Sequence, residues 1–412
     1  MTLTNVRVDG DRLWRSLMEM AQIGALPNGG CGRLALSDED KQARDLFVRW
    51  CREAGCEVTV DDMGNIFARR PGRDNSLPPI ATGSHLDTQP HGGKFDGVYG
   101  VLAGLEVIRA LNDAGAETRA PIEVINWTNE EGSRFAPAMV ASGVFAGQFE
   151  HEFAWSREDA AGHSLGEELG RIGYRGGQRC GEHPLGALFE AHIEQGPILE
   201  GAGVPIGVVS GAQGQRWYDV TVRGQDCHAG TTPMPRRKDA YTASARMAIA
   251  LRDIARVHAP QAVATIGQVE VIPNSRNTIP GEVRFSVDIR HPQPAPLAAM
   301  DDALRGGFAA IAAEEGTEVE IEGIWHKSPI RFDEGCVDAV ARAAEALGYA
   351  NQAIVSGAGH DACQVCAIAP AGMIFVPCAD GVSHNEAESA EPDDLEKGCN
   401  VLLHAMTGLA NG

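Results

Sequence analysis

No run of 18 or more apolar residues occurs in the 412-residue chain, so no membrane-spanning helix is expected. The opening "MTLTNVRVDGDRLWRSLMEM" lacks the uninterrupted apolar core of a secretory signal, which reads as a cytoplasmic protein. Basic residues are scarce, 35 Lys and Arg against 56 Asp and Glu, for a formal net charge of −21. Nucleic acids and anionic membranes are polyanions, and a chain this acidic excludes both as main partners. The ten cysteines lack the paired spacing of a disulfide framework, in keeping with a reducing compartment. Cys363 and Cys366 in "DACQVCAIAP" have C-x-x-C spacing without a matching second pair, so they read as small buried hydrophobes. The glycines of "PHGGKFDGVYGVLAG" form neither G-x-G-x-x-G nor a Walker loop, which excludes a phosphate cradle.

What is present is a 43% hydrophobic chain, long enough for two domains. "DEDKQARDLFVRWCREAG" has apolar residues at helical spacing, with Ser37 placed to cap it and Gly55 to end it. "CEVTVDDMGNIFARRPG" alternates as two strands around a turn. A short apolar strand "PPIATGSHLDT", a helix "GVYGVLAGLEVIRALNDAG" and a strand "APIEVINWTNEEGSRF" follow. Strand, helix, strand in that order predicts an α/β fold with a mixed, largely parallel sheet and flanking helices. Ligands of such sheets bind beyond the carboxyl ends of strands.

The middle of the chain reads differently. "QRWYDVTVRGQ", a helix through "RRKDAYTASARMAIALRDIARVH", the strands "AVATIGQVEVIP" and "GEVRFSVDIRH", a helix "APLAAMDDALRGGFAAIAAEEG" and "TEVEIEGIW" spell an α+β unit of order βαββαβ. Because strands and a helix resume afterwards, it is read as an insert at 213–325, between the main-domain segments 1–212 and 326–412.

Five stretches hold the candidate ligands: "SHLDT" (His85, Asp87), "GKFDGVYG" (Asp96), "TNEEGSRF" (Glu130, Glu131), "EAHIEQGP" (His192) and "DGVSHNEAE" (His384). Each alone is an ordinary polar strand end. Together they match the needs of two metals: a bridging carboxylate, with imidazole and carboxylate ligands for each ion. At a loop, one of the adjacent Glu130 and Glu131 can ligate while the other faces water. Asp87, two residues after His85, is placed to orient its imidazole or to hold the geometry behind the ligands.

These stretches, in this order, resemble the M20 metallopeptidase superfamily. The wording "TNEEGSRFAPAMVASGVFAG", "EAHIEQGPILE", "HAGTTPMPRRKDA", "PNSRNTIPG" and "SGAGHDA" is similar to its amidase, hydantoinase and carbamoylase branch. That branch includes N-carbamoyl-L-amino acid hydrolases, β-ureidopropionase-type enzymes and allantoate amidohydrolases. The resemblance implies two divalent metal ions per subunit, one on His85, Asp96 and His192, the other on Asp96, Glu131 and His384. It implies Glu130 as general base, Asp87 as its catalytic companion supporting His85, and Gln195 as a substrate group near the metals. His228, Asn277 and Arg290 from the insert, and His360 from the main domain, match positions that bind the substrate carboxylate or polarise the scissile carbonyl.

The implied activity is metal-dependent cleavage of the carbamoyl C–N bond of N-carbamoyl-L-amino acids. Allantoate or β-ureidopropionate hydrolysis is the near alternative, and dipeptidase or N-acyl amino acid deacylase action the distant one. Zinc heads the metal expectation, and manganese, cobalt and nickel suit the same donors. The resemblance also implies a homodimer through the insert, which would serve as lid and dimerisation domain. Several residues keep plain alternatives: Arg290 as a surface salt-bridge partner, Asn277 as a turn former, and His228 beside Cys227 as part of a Cys–His pair. The last lacks any orienting third group.

Overall fold

The computed structural model describes residues 3–412. Two compact units emerge: one runs to Ser210 and resumes from Phe332 to Gly412, and the other is Gly211–Arg331. The strands in chain order are β1 (Glu57–Val60), β2 (Ile66–Arg70), β3 (Ile80–His85), β4 (Ile122–Trp127), β5 (Ala187–Ile193) and β6 (Ile206–Ala212). Then come β7 (Gly214–Arg223), β8 (Cys227–His228), β9 (Val263–Thr265), β10 (Val269–Ile272), β11 (Thr278–Ile279) and β12 (Glu282–His291). Last are β13 (Glu318–Lys327), β14 (Ile330–Arg331), β15 (Asn351–Ser356) and β16 (Ala371–Val376).

The main sheet has nine strands in the order β1-β2-β4-β3-β5-β16-β6-β14, with β15 also paired to β6. β3 runs parallel to β4 and to β5, and β5 parallel to β16, whereas β1, β2 and β6 join antiparallel. The α/β class with a mixed, largely parallel centre is therefore as expected. Those four central strands are buried along their whole length, as parallel strands covered on both faces must be. Helix Val98–Asp113 packs on β3, β4 and β5, and helix Pro392–Ala410 on β3, β5 and β16. Ser37 caps helix Asp38–Glu53 through its side chain, which accepts the Asp40 N–H, an N-cap supplying one orphan amide with an acceptor.

In the second unit, β10-β12-β7-β13 form an antiparallel sheet with β9 also on β12. Helices Ala240–Val257 and Pro294–Glu315 supply the core that Tyr218, Val220, Val222, Val283, Phe285 and Val287 meet. Alternation along β7 and β12 puts every second side chain on that core. The unit extends beyond the 213–325 read from sequence because Ile330 and Arg331 pair with Ala212 and Gly211, so its entering and leaving strands lie side by side. Among the described residues, no helix is long and apolar enough to cross a membrane.

Candidate metal centre

The four mutually parallel strands deliver the candidate ligands from their carboxyl ends. His85 closes β3, Glu130 and Glu131 follow β4, His192 lies near the end of β5, and His384 follows β16. Asp96 comes from the loop between β3 and helix Val98–Asp113. Backbone geometry there is unusual: Asn129, Gln195 and His384 all have left-handed φ, at 58°, 59° and 53°. Such conformations cost energy in non-glycine residues and concentrate at functional sites.

Asp96 is the hub. Its Oδ1 lies 3.6 Å from His85 Nε2 and 3.1 Å from His192 Nε2. Its Oδ2 lies 3.5 Å from His384 Nε2, which is 3.4 Å from Glu131 Oε2. The carboxylate thus divides the imidazoles between its two oxygens. Glu130 Oε2 stands 3.5 Å from His85 Nε2. His85, Asp96 and His192 are buried, whereas His384 has a half-exposed side chain. The donor atoms of His85, Asp96 and His192, and those of Asp96, Glu131 and His384, lie within 4.8 Å of one another in each set.

The main chain sets the tautomers. His85 Nδ1 is 2.8 Å from the Asp87 carbonyl and His192 Nδ1 is 2.9 Å from the Ile193 carbonyl. A carbonyl only accepts, so each Nδ1 carries a hydrogen, and in the neutral ring Nε2 keeps the lone pair that faces Asp96. Gly97 donates its N–H to His192 Nε2 at 3.1 Å. Only glycine fits there: φ is +67°, and a Cβ would lie 2.3 Å from His85 Cε1.

The charges are unbalanced in a telling way. Burial pushes Glu130 well above the ordinary carboxyl range, reinforced by Asp361, Glu131, Asp87 and Asp96. Glu131 is raised by burial, then by Asp96 and Asp87. Burial lifts Asp87 to about 7, with Asp40 adding to the effect. Burial lowers His85 to about 4 despite Asp96. Burial opposes ionisation of Asp96 too, but His192 and His85 outweigh it and hold this carboxyl low. Burial disfavours a proton on His192, yet Asp96 and Glu190 draw one there and raise it to about 9.

The sequence model of peptidase family M20/M25/M40 matches residues 81–408. The chain belongs to that family. This M20 chain is 50% identical over 402 residues to an N-carbamoyl-L-amino-acid amidohydrolase of Rhizobium meliloti, covering 98% of this chain and 97% of the relative. It is 38% identical to the N-carbamoyl-L-amino acid amidohydrolase of Geobacillus stearothermophilus, over 98% of this chain and all of the relative. The crystal structure of an amidase of the hydantoinase/carbamoylase family from Burkholderia multivorans superposes with a TM-score of 0.97 at 60% identity, covering 99% of each chain.

M20 enzymes depend on metal, and the residues present fit a divalent cation. Facing lone pairs of His85, His192 and Asp96 repel unless a positive charge lies between them. A proton on His192 Nε2, which Asp96 and Glu190 favour, competes with the Gly97 N–H that already addresses that atom. A cation satisfies both. Nitrogen and carboxylate donors suit zinc and its first-row neighbours.

Asp87 contacts His85 and both glutamates. Its carbonyl, not its carboxylate, meets His85, while the carboxylate accepts the backbone N–H groups of Glu130 (3.3 Å) and Glu131 (3.2 Å). Gln195 donates from Nε2 to Asp96 Oδ2 at 2.8 Å, so it touches the hub rather than open space. His360 is buried, its ring edge-on to His192 at 4.6 Å and its Nε2 2.9 Å from Ser356 Oγ. Sequence reasoning missed Gln89, which donates to Glu131 Oε2 at 2.7 Å, and Ser383, which donates to Asp96 Oδ2 at 2.7 Å. It missed Glu190, which accepts from Ser84 Oγ and the Ala362 N–H, and Glu388. Ser383 and Glu388 flank His384 in "SHNEAE", the one local signal that pointed to them.

The remaining three predicted residues belong to the second unit. Thr278 pairs with His228 across β11 and β8, and the Asn277 carbonyl accepts the Ala229 N–H, so His228 and Asn277 are held together. His228 Nδ1 accepts the N–H of Gly230 and Thr231, which leaves the ring hydrogen on an outward Nε2. Arg290 donates from Nε and Nη2 to Asp288.

Proposed function

We propose that this protein hydrolyses the carbamoyl C–N bond of N-carbamoyl-L-amino acids, releasing the amino acid, ammonia and carbon dioxide. The observation that carries the reading is Asp96 sharing its two oxygens among three imidazoles, His85 and His192 on one and His384 on the other, with the Glu130 carboxylate beside His85. Family membership supports it.

His85, Asp96 and His192 would hold one divalent ion, and Asp96, Glu131 and His384 the second, with zinc favoured by the donor types. Bound there, the metal supplies Lewis acidity, which polarises a carbonyl and brings water's pKa from about 15.7 toward 7. Glu130 takes the proton of the attacking water. It is raised and buried, hence a stronger base than an exposed carboxylate. The same carboxyl then returns that proton to the departing nitrogen, which breaks the C–N bond. The resulting carbamic acid falls apart to ammonia and carbon dioxide. Asp87 keeps Glu130 and Glu131 in place by holding their N–H groups.

His228, Asn277, Arg290, His360 and Gln195 are proposed to address the substrate. The guanidinium of Arg290 is shaped for a two-pronged grip on the α-carboxylate, and the Nε2–H of His228 can donate to the developing oxyanion. The second unit is proposed to join two copies as a homodimer, and the enzyme to work in the cytoplasm.

The test is a substrate panel of N-carbamoyl amino acids, allantoate, β-ureidopropionate and dipeptides, following ammonia and amino acid release. It is run on chelated protein reloaded separately with zinc, manganese, cobalt and nickel. Turnover of the carbamoyl compounds, absent after chelation, is expected. Dipeptide cleavage with carbamoyl compounds untouched would overturn the reading, and elution as an active monomer would overturn the dimer.

A further inference from the structure

The loops that bring Asp96 and His384 to the centre, 86–97 and 377–391, contain no β-strand, and the β-bridge of Gly92 to Cys31 ties the first loop to a different segment rather than to the second. Something else must fix their spacing. Glu388 is 3% exposed and sits four residues after His384. Its Oε1 accepts the backbone N–H of Phe95 at 2.8 Å and of Asp96 at 3.1 Å. The two bonds end on consecutive peptide groups, the second of them that of Asp96 itself. Its own backbone is tied to the His384 side of the loop, since the Glu388 N–H donates to the Asn385 carbonyl. The chain around it is shaped to admit the carboxylate: a Cβ at Gly93 would lie 2.0 Å from Glu388 Oε1. Two lesser ties join the same loops, Ser383 Oγ to Asp96 Oδ2 at 2.7 Å and His91 Nδ1 to Glu386 Oε1 at 2.8 Å.

We infer that Glu388 is a positioning residue for metal binding: it sets the angle at which Asp96 presents one oxygen to His85 and His192 and the other to His384. The inference rests on the metal-centre reading above. Its physical basis is leverage. Asp96 meets three imidazoles with two oxygens, so a small rotation of its peptide spoils both sides at once. Supporting residues of this kind are typically worth about 10–100-fold in metal affinity. Removing Glu388 also strands two buried N–H groups, which a glutamine carbonyl oxygen can still receive.

The experiment titrates chelated full-length protein with cobalt(II), following the visible absorption of bound cobalt against a competing chelator. Thermal unfolding of the metal-free form is measured alongside. E388A is expected to weaken cobalt binding about 10–100-fold, and E388Q to stay within about threefold of wild type because it keeps an acceptor. G93A, which pushes on the carboxylate without removing it, is expected to reproduce the loss. A purely structural clamp would lower the metal-free melting temperature and leave the affinity of the folded protein unchanged; that result overturns the assignment. Should E388A fail to fold, G93A binding cobalt as wild type does overturns it equally. A wild-type protein that retains no cobalt sinks the metal-centre reading and this inference together, whereas tight wild-type loading matched by E388A sinks Glu388 alone.

Discussion

The carboxylate of Asp87 reaches the backbone of Glu130, accepting its N–H at 3.3 Å, and its other oxygen takes the Glu131 N–H at 3.2 Å. Two consecutive peptides are therefore gripped by one side chain 43 positions earlier. Asp87→Ala should move both glutamates. A misplacement of about 1 Å costs on the order of 10²-fold in rate, so kcat should fall by about that factor in steady-state ammonia release. Asp87→Asn, with one acceptor oxygen left, should fall in between. Equal activity in wild type and Asp87→Ala would refute the positioning role.

Glu130 is proposed as the proton carrier, and its removal should spare the metals. Glu130→Gln keeps the size and loses the base, so kcat should drop about 10²–10⁴-fold. Metal content by elemental analysis should stay at the wild-type level. Loss of metal in this variant would recast Glu130 as a ligand.

Away from the centre, Arg12 reaches both oxygens of Glu106 from Nε and Nη2 at 2.8 Å, and Glu106 is wholly buried. Breaking one side of such a pair leaves an uncompensated charge, which costs about 3–5 kcal/mol. Arg12→Ala should lower the urea midpoint accordingly. The double variant Arg12→Ala/Glu106→Gln should recover most of the loss, since the neutral amide keeps the acceptor for the Asp9 N–H. A midpoint unmoved in Arg12→Ala would show that solvent reaches the carboxylate.

Asp61 carries a pH signature. Burial raises its carboxyl to about 6 from an ordinary 3.8, outweighing the donors Asn65 and Met63. A raised acid binds its proton more tightly when folded. Its contribution to stability is thus full below about pH 4 and is lost as pH rises through about 6, a change on the order of 3 kcal/mol. Asp61→Asn cannot titrate, so the stability difference between wild type and variant should shift against wild type across pH 4–6. Parallel stability curves over that window would contradict the shift.

Much of this was legible along the chain. The turn between β1 and β2 and the helix at Val98–Asp113 follow from local periodicity, because a helix or strand shows its buried face at fixed spacing; in the middle, "AVATIGQVEVIP", read as one strand, forms two, β9 and β10, and β8 and β11 add a short pair. β5 was not recognised. Its "ALFEAHI" places Glu190 and His192 inside a run buried end to end, and charged residues there break the apolar pattern by which buried strands are found. Asp87 was placed beside His85 by nearness in sequence, and its carbonyl meets that ring. The hydrogen bonds show its carboxylate spent on residues 43 and 44 positions later.

By itself, the order of residues determined what the chain avoids and which local elements it forms: charge excludes polyanionic partners, and side-chain spacing decides strand or helix. Tertiary structure alone decided which oxygen of Asp96 meets which imidazole, which nitrogen of His192 is left bare, and that Glu388 steadies a loop 292 positions away. The reason is physical. Propensity acts between neighbours a few residues apart, whereas these contacts exist only after packing of the central parallel strands brings four separate carboxyl ends to one edge.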